Sequence, residues 1–163
     1  MNEPVEIVGR AVLDCAFRVH TVLGPGLLES IYESALAIEL RKRGQLVERQ
    51  KAIQVFYEVE LLDVGFRADL VVDELVLVEI KSVQEVTDLF KKITQNYLKL
   101  VPLQLGFLIN FNEAHLRHGI TRIVNGTDGK DFFIREESVP YQVFPPPPSP
   151  SSLPSRDPAL SEP

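Results

Sequence analysis

The sequence predicts an α/β domain in which helices cover both faces of a β-sheet. Two observations carry this prediction. The segments run in the order of two amphipathic helices, a series of strands, a third helix and a further strand. The strands within 65–72 and 75–83 are apolar without alternation, which indicates that both of their faces are buried. With 163 residues, 45% of them apolar, the chain has enough material for one hydrophobic core.

Two helices are predicted before residue 44. The first covers 4–23, where apolar side chains recur at three- and four-residue steps: Val5, Val8, Val12, Cys15, Val19 and Val22. Gly24-Pro25-Gly26 ends it. The second covers 27–43, is ended by Gly44, and is predicted to bury Leu28, Ile31, Ala35, Ile38 and Leu40. The place of Cys15 on the apolar stripe predicts a buried side chain and not a reactive thiol.

From residue 46 the pattern is typical of strands. Extended segments are predicted over 46–50, 52–62, 65–72 and 75–83, with a turn at Asp73-Glu74. A helix is predicted over 84–101, with an apolar stripe of Val86, Leu89, Phe90, Ile93, Tyr97 and Leu100. A buried strand over 103–111 and short peripheral strands over 119–126 and 131–137 complete the fold.

The composition changes after Phe144. Residues 145–163 hold eight of the twelve prolines and five serines, with almost no large apolar side chains. We therefore predict a folded domain over 1–144 and a disordered tail over 145–163. Proline runs of this kind also dock in aromatic-lined grooves of protein partners, although a solvated tail is the favoured interpretation.

Charge and cysteine content limit the function classes. Acidic residues outnumber basic ones 23 to 17, so the chain lacks a broad cationic field and any contact with nucleic acid must be local. One cysteine and three histidines exclude a disulfide framework and a four-ligand zinc cluster. The acidic N-terminus is unlike a secretory signal, and no apolar stretch has the length of a membrane span. We expect a cytoplasmic protein with no membrane partner, as a monomer or a homodimer.

The candidate site lies between Asp69 and Lys81. Asp69 stands on one apolar strand, and Glu79 and Lys81 stand on the next. Ionised carboxylates are costly there unless they are paired, protonated or bound to a cation. A Glu79–Lys81 ion pair is a structural explanation, since residues two apart on a strand project to the same side, but it leaves Asp69 unexplained. Two carboxylates and a lysine that converge would form a site for a hard divalent cation and an anionic substrate.

The turn between these strands provides a geometric test. If Asp73 and Glu74 alone formed the loop, Asp69 would pair with Val78 and would lie on the face opposite to Glu79. The site hypothesis therefore requires an odd-residue loop or a bulge, because either one shifts the register by one residue and brings the carboxylates together.

A second motif begins the second helix. Gly26, Glu29 and Tyr32 recur every three residues and form one stripe. The spacing is consistent with a site role, and equally with Glu29 complementing the helix dipole in the first turn.

In this order the motifs resemble those of the GxxExxY protein family, a branch of the PD-(D/E)XK nuclease superfamily. The resemblance runs from about residue 11 to 125 and rests on the segments GPGLLESIY, VERQ, FRADLVV, LVLVEIKSV, YLKL and LGFLINFN. It implies an αβββαβ nuclease-like core with a central mixed sheet flanked by helices. It also implies that Asp69, Glu79 and the Ile80 carbonyl bind Mg²⁺ or Mn²⁺, that Lys81 lies beside the reacting phosphate, and that Glu29 reaches the same site. The implied activity is hydrolysis of DNA or RNA.

The resemblance makes nucleic acid the expected partner. Candidate substrate contacts are Arg49, Lys51 and Arg67 in the strand region and Gln95 and Tyr97 in the third helix. Related nucleases often carry a glutamine four residues before the tyrosine, where this chain has Ile93, and Gln95 lies about 200° further round the helix. This departure favours an alternative function, a non-catalytic module that binds nucleic acid or a protein partner.

Overall fold

The computed structural model describes residues 3–63 and 65–125, together with the backbone of residues 132–135. The helices are α1 (Glu3–Leu23), α2 (Glu29–Lys42) and α3 (Asp88–Leu100), and a 3₁₀ turn spans Leu116–Gly119. The strands are β1 (Val47–Ile53), β2 (Phe56–Tyr57), β3 (Glu60–Leu61), β4 (Phe66–Val72), β5 (Val76–Lys81), β6 (Leu105–Asn110), β7 (Ile120–Val124) and β8 (Phe132–Arg135). The predicted domain end at 144 and the predicted tail lie outside the described residues.

Six strands form one mixed sheet in the order β1-β4-β5-β6-β7-β8, and β2 and β3 form a separate two-stranded hairpin. The neighbours β5 and β6 are parallel, and the chain crosses between them through α3. All other neighbours in the sheet are antiparallel. This arrangement confirms the predicted mixed sheet.

Helices cover both faces of this sheet. The side chains of Val76, Val78 and Ile80 enter a core shared with α1 and α2, whereas Leu77 enters a second core shared with α3. Because successive side chains of a strand point to opposite faces, a strand between two helical layers must be apolar throughout. The prediction drawn from the unalternating strands is therefore confirmed.

Strand β6 is packed tightly on both sides. A Cβ atom at Gly106 would lie 2.9 Å from the Cδ1 atom of Leu98 in α3. On the other face, a Cβ atom at Gly9 of α1 would lie 2.7 Å from Leu105. The two glycines thus allow α1 and α3 to approach the central strand closely.

The predicted buried face of α2 is mostly wrong, although Leu40 is buried as predicted. Leu28, Ile31 and Ile38 are exposed, as is Val22 near the end of α1. The buried side chains of α2 are instead Tyr32, Glu33, Leu36, Ala37 and Leu40. Helix α2 carries two apolar stripes, and the local pattern cannot decide which one the sheet covers.

Two further boundaries differ from the predictions. The segment 52–62 is not one strand, because β1 ends at Ile53 and the chain then folds into the β2–β3 hairpin, in which Glu58 has a φ of +54°. Helix α3 begins at Asp88, and its buried residues are Thr94 and Leu98. Leu89 and Leu100 of the predicted stripe are exposed.

Cys15 is fully buried, as predicted, and burial raises the pKa of its thiol to about 11. None of the helices among the described residues has the length and apolar content of a membrane span.

Candidate active site

The turn after β4 has the shifted register that the site hypothesis requires. The Leu75 N–H donates to the Val72 carbonyl across Asp73 and Glu74, which have φ values of +51° and +57°. The strands nevertheless pair Val72 with Val76, so Leu75 is an additional residue. Continued along the strands, this register places Asp69 opposite Glu79.

Asp69 lies where β4 and β5 separate. The paired ladder ends at Leu70 and Val78, and beyond it the Ile80 N–H donates to Asp69 Oδ2 over 2.8 Å. The other carboxylate oxygen, Oδ1, accepts a hydrogen bond from Gln50 Nε2 over 3.1 Å. Burial raises the pKa of the Asp69 carboxyl, and the hydrogen bond from Ile80 opposes this rise. Both oxygens are held in place, and each keeps a lone pair for a further ligand.

Glu79 and Lys81 form the ion pair that the structural alternative described, with Lys81 Nζ 2.7 Å from Glu79 Oε1. Nζ also donates to the Ile80 carbonyl over 3.0 Å and lies 5.6 Å from the centre of the Phe90 ring. Glu79 is only 7% exposed, and its Oε2 atom has no hydrogen-bond partner among the described residues. The ion pair therefore satisfies one oxygen of this carboxylate and leaves the other, buried oxygen without a partner among the described residues.

Charge and burial shift the pKa values of this pair. Burial, followed by the negative charge of Asp69, raises the pKa of Glu79 to about 7. Burial alone would lower the pKa of Lys81, but the hydrogen bond and the charge of Glu79, together with the charges of Asp69 and Glu29, raise it. Lys81 thus stays protonated at neutral pH.

Glu29 lies at the start of α2, beside the end of β5. Its Oε1 atom accepts a hydrogen bond from the Ser82 N–H over 3.0 Å, and the Ser82 hydroxyl donates to the Leu27 carbonyl over 2.6 Å. The charge of Glu29 reaches both Glu79 and Lys81. The predicted roles of Glu29 in catalysis and metal binding stay predictions, since its carboxylate here binds the main chain.

Helix α3 brings Tyr97 to the site. The Tyr97 ring stacks on Phe66 of β4, with centroids 3.6 Å apart. Burial raises the pKa of the Tyr97 hydroxyl, and the charge of Glu79 adds to the rise. Gln95 and Ile93 lie half-buried on the same helix. No hydrogen bond joins Gln95 to the candidate site within the part of the chain that the structure describes.

The three basic side chains predicted to contact phosphate lie on β1 and β4, and each is bonded to another group of the protein. Lys51 pairs with Glu48, and Arg67 donates to the Gln50 carbonyl over 3.4 Å. Arg49 Nε donates to Glu33 Oε1 over 2.7 Å. Contact of these side chains with a substrate stays a prediction.

Sequence reasoning missed Gln50 and Glu33. Glu33 is buried in α2, and its Oε2 atom accepts a hydrogen bond from Gln50 Nε2 over 2.8 Å. The two residues are 17 positions apart in the chain and share no motif. Gln50 closes the VERQ segment of the resemblance, which gave it no role, and Glu33 lies on a helix whose buried face was mostly predicted incorrectly.

The residues present fit a hard divalent cation in part. Carboxylate and carbonyl oxygens are the ligands that Mg²⁺ prefers, and Asp69, Glu79 and the Ile80 carbonyl supply them on adjacent strands. The Oε2 atom of Glu79, which has no partner in the described part of the chain, is the oxygen that such an ion would satisfy. Among the described residues, no group of three or more His, Cys, Asp or Glu side chains is arranged to bind a metal. A cation here would depend on two carboxylates, and water would complete its shell.

Fold and site together define an α/β domain with a carboxylate–lysine site between two diverging strands. A family model of the PD-(D/E)XK nuclease superfamily matches residues 6–123, well over half of the chain. The chain therefore belongs to the PD-(D/E)XK nuclease superfamily. Its place in the GxxExxY branch stays a prediction from the motifs. No curated protein and no solved structure matches the chain.

The raised pKa of Glu79 predicts how the stability of the metal-free protein depends on pH. Between about 4.5 and 7 the folded state binds a proton that the unfolded state has lost, so the free energy of unfolding falls as pH rises through this window. The contribution is complete below about pH 4.5 and is on the order of 3 kcal/mol. Glu79→Gln removes it and keeps an acceptor for Lys81.

Urea denaturation of parent and Glu79→Gln in chelator, at pH 5 and pH 8, measures this effect. We expect the parent to lose more stability than the variant between the two pH values, because only the parent has the Glu79 carboxyl that must ionise in a buried position. Equal losses in the two proteins would show that Glu79 has an ordinary pKa.

Proposed function

We propose that this protein is a Mg²⁺- or Mn²⁺-dependent nuclease that hydrolyses phosphodiester bonds of DNA or RNA. The observation that carries the proposal is the convergence of Asp69, Glu79 and Lys81, with a buried Glu79 oxygen that lacks a partner among the described residues. Membership of a nuclease superfamily supports it. A structural ion pair alone would account for neither the position of Asp69 nor that oxygen.

Asp69, Glu79 and the Ile80 carbonyl would hold the cation. The chemistry that a bound divalent cation supplies is polarisation of the phosphate and a lower pKa for a coordinated water. Hydrolysis joins a water oxygen to phosphorus and breaks the bond to one ester oxygen. Lys81 stays charged, and two of its three N–H groups bond to Glu79 and Ile80 in the described structure. The third can donate to a phosphate oxygen as negative charge develops on it.

The acidity of the chain is compatible with this function when the cation is counted. Glu79, Asp69 and Glu29 concentrate negative charge that would repel a phosphate backbone. A divalent cation and Lys81 together offset these charges at the point where the phosphate must approach. Nucleic-acid binding should therefore require the metal.

The decisive experiment incubates the pure protein with single- and double-stranded DNA and RNA in Mg²⁺, in Mn²⁺ and in chelator, beside Asp69→Asn. We expect cleavage of at least one substrate in the presence of metal, and its loss both in chelator and in the variant, which keeps the shape of Asp69 and removes its charge. Cleavage that persists in Asp69→Asn would indicate a contaminating nuclease. Metal binding by calorimetry without cleavage of any substrate would instead favour the non-catalytic module.

A further inference from the structure

Gln50 is the irregular point of strand β1. Its φ of +49° is in the left-handed region, which strains any residue that has a Cβ atom. The ladder between β1 and β4 pairs Arg49 with Leu70 and Lys51 with Ala68, and it skips the pair of Gln50 with Asp69 between them.

At the same point along the sheet, the alternate side chains of strand β4 pass from one core to the other. Leu70 belongs to the core under α1 and α2, whereas Ala68, two residues away, belongs to the core under α3. Residues two apart on a regular strand share one face, so the chain is twisted between them. Asp69 lies at the centre of this twist.

The side chain of Gln50 uses both of its amide hydrogens here. Nε2 donates to Asp69 Oδ1 over 3.1 Å and to Glu33 Oε2 over 2.8 Å. Both partners are carboxylates and accept only, which identifies the amide nitrogen as the atom that faces them. Glu33 is itself held by Arg49, whose second nitrogen donates to Ser34. A continuous chain of hydrogen bonds thus joins α2 to the Asp69 carboxylate through Gln50.

We infer that Gln50 is a positioning residue that fixes the Asp69 carboxylate for cation binding. The inference rests on the proposed function of the site. Gln50 binds Oδ1 and the Ile80 N–H binds Oδ2. These two hydrogen bonds restrict rotation of the carboxylate, so the orientation of its remaining lone pairs is fixed. Glycine would adopt the backbone conformation of residue 50 without strain, so the amide is what the glutamine adds. Partners that orient a metal ligand in this way typically change metal affinity by roughly 10- to 100-fold when they are removed.

The test separates the amide from the backbone strain by comparing Gln50→Gly with Gln50→Ala. Both remove the amide, but only the glycine relieves the strain, so Gln50→Gly should be the more stable in thermal unfolding. We expect both variants to bind Mn²⁺ about tenfold more weakly than the parent in calorimetry at pH 8. Gln54→Ala, in the exposed segment after β1, is the matched control and should bind like the parent.

Cleavage rates measured over a range of Mn²⁺ concentrations provide the second readout. If Gln50 acts through the cation site, raising Mn²⁺ tenfold should restore the rate of Gln50→Gly toward that of the parent. A Gln50→Gly protein that binds Mn²⁺ as tightly as the parent overturns the role of Gln50 alone. A parent protein that binds no Mn²⁺ overturns the cation site, and the role of Gln50 with it.

Discussion

Lys81→Met is expected to lower the rate of phosphodiester cleavage by about a hundred- to a thousandfold, because it removes the donor beside the developing charge on the phosphate. Methionine has nearly the same length and keeps the contact with the Phe90 ring. Cation affinity should change little, since the substitution removes a positive charge next to Glu79 and Asp69 but also raises the pKa of the Glu79 carboxyl. Single-turnover cleavage and Mn²⁺ calorimetry, both at pH 8, measure the two effects separately.

Lys42→Met is the matched control for this prediction. Lys42 also forms an ion pair, with Glu39, but it lies at the opposite end of α2 from Glu29. Its replacement should leave both cleavage and Mn²⁺ binding unchanged. If Lys81→Met loses Mn²⁺ affinity together with activity, Lys81 organises the carboxylates and does not act on the substrate.

Tyr32→Ala is expected to cost the fold about 3–5 kcal/mol, the largest loss of stability that we predict. Tyr32 is fully buried, and its ring stacks on Phe111 with centroids 4.5 Å apart. Its hydroxyl donates to the Gly24 carbonyl over 2.6 Å and accepts from the Leu27 N–H over 3.1 Å. Alanine removes both the stacked ring and the two hydrogen bonds that join Tyr32 to the turn between α1 and α2.

Tyr32→Phe separates these two contributions. Phenylalanine keeps the stacked ring and leaves the Gly24 carbonyl and the Leu27 N–H without the hydroxyl, which should cost about 1–3 kcal/mol. Equilibrium denaturation in urea measures both variants. Because the Leu27 carbonyl accepts from Ser82 next to Lys81, Tyr32→Phe should also slow cleavage. Equal losses of stability in the two variants would show that stacking on Phe111 contributes nothing.

The charged residues of the candidate site could be predicted from the sequence, whereas the residues that contact them could not. Charged residues in apolar strands are costly, and this single fact selected Asp69, Glu79 and Lys81. The alternation of side chains along a strand also indicated which turn the site would need, and the additional residue Leu75 provides it. The partners of these residues were not predictable, because no spacing relates Gln50 or Glu33 to Asp69. Gln50 meets Asp69 only where the ladder between β1 and β4 is interrupted, and Glu33 is joined to Asp69 through Gln50.

For the fold, the period of the apolar residues determined the main elements, their order and the need for helices on both faces of the sheet, but not the β2–β3 hairpin. It could not determine which face of a helix is buried where two apolar stripes compete. In α2 the stacking of Tyr32 on Phe111, from a strand end about 80 residues away, accompanies burial of the stripe that includes Leu36 and Leu40, and Ile31 stays exposed. Periodicity is a property of neighbouring residues, whereas the choice between faces depends on contacts between distant ones, which form only when the chain packs.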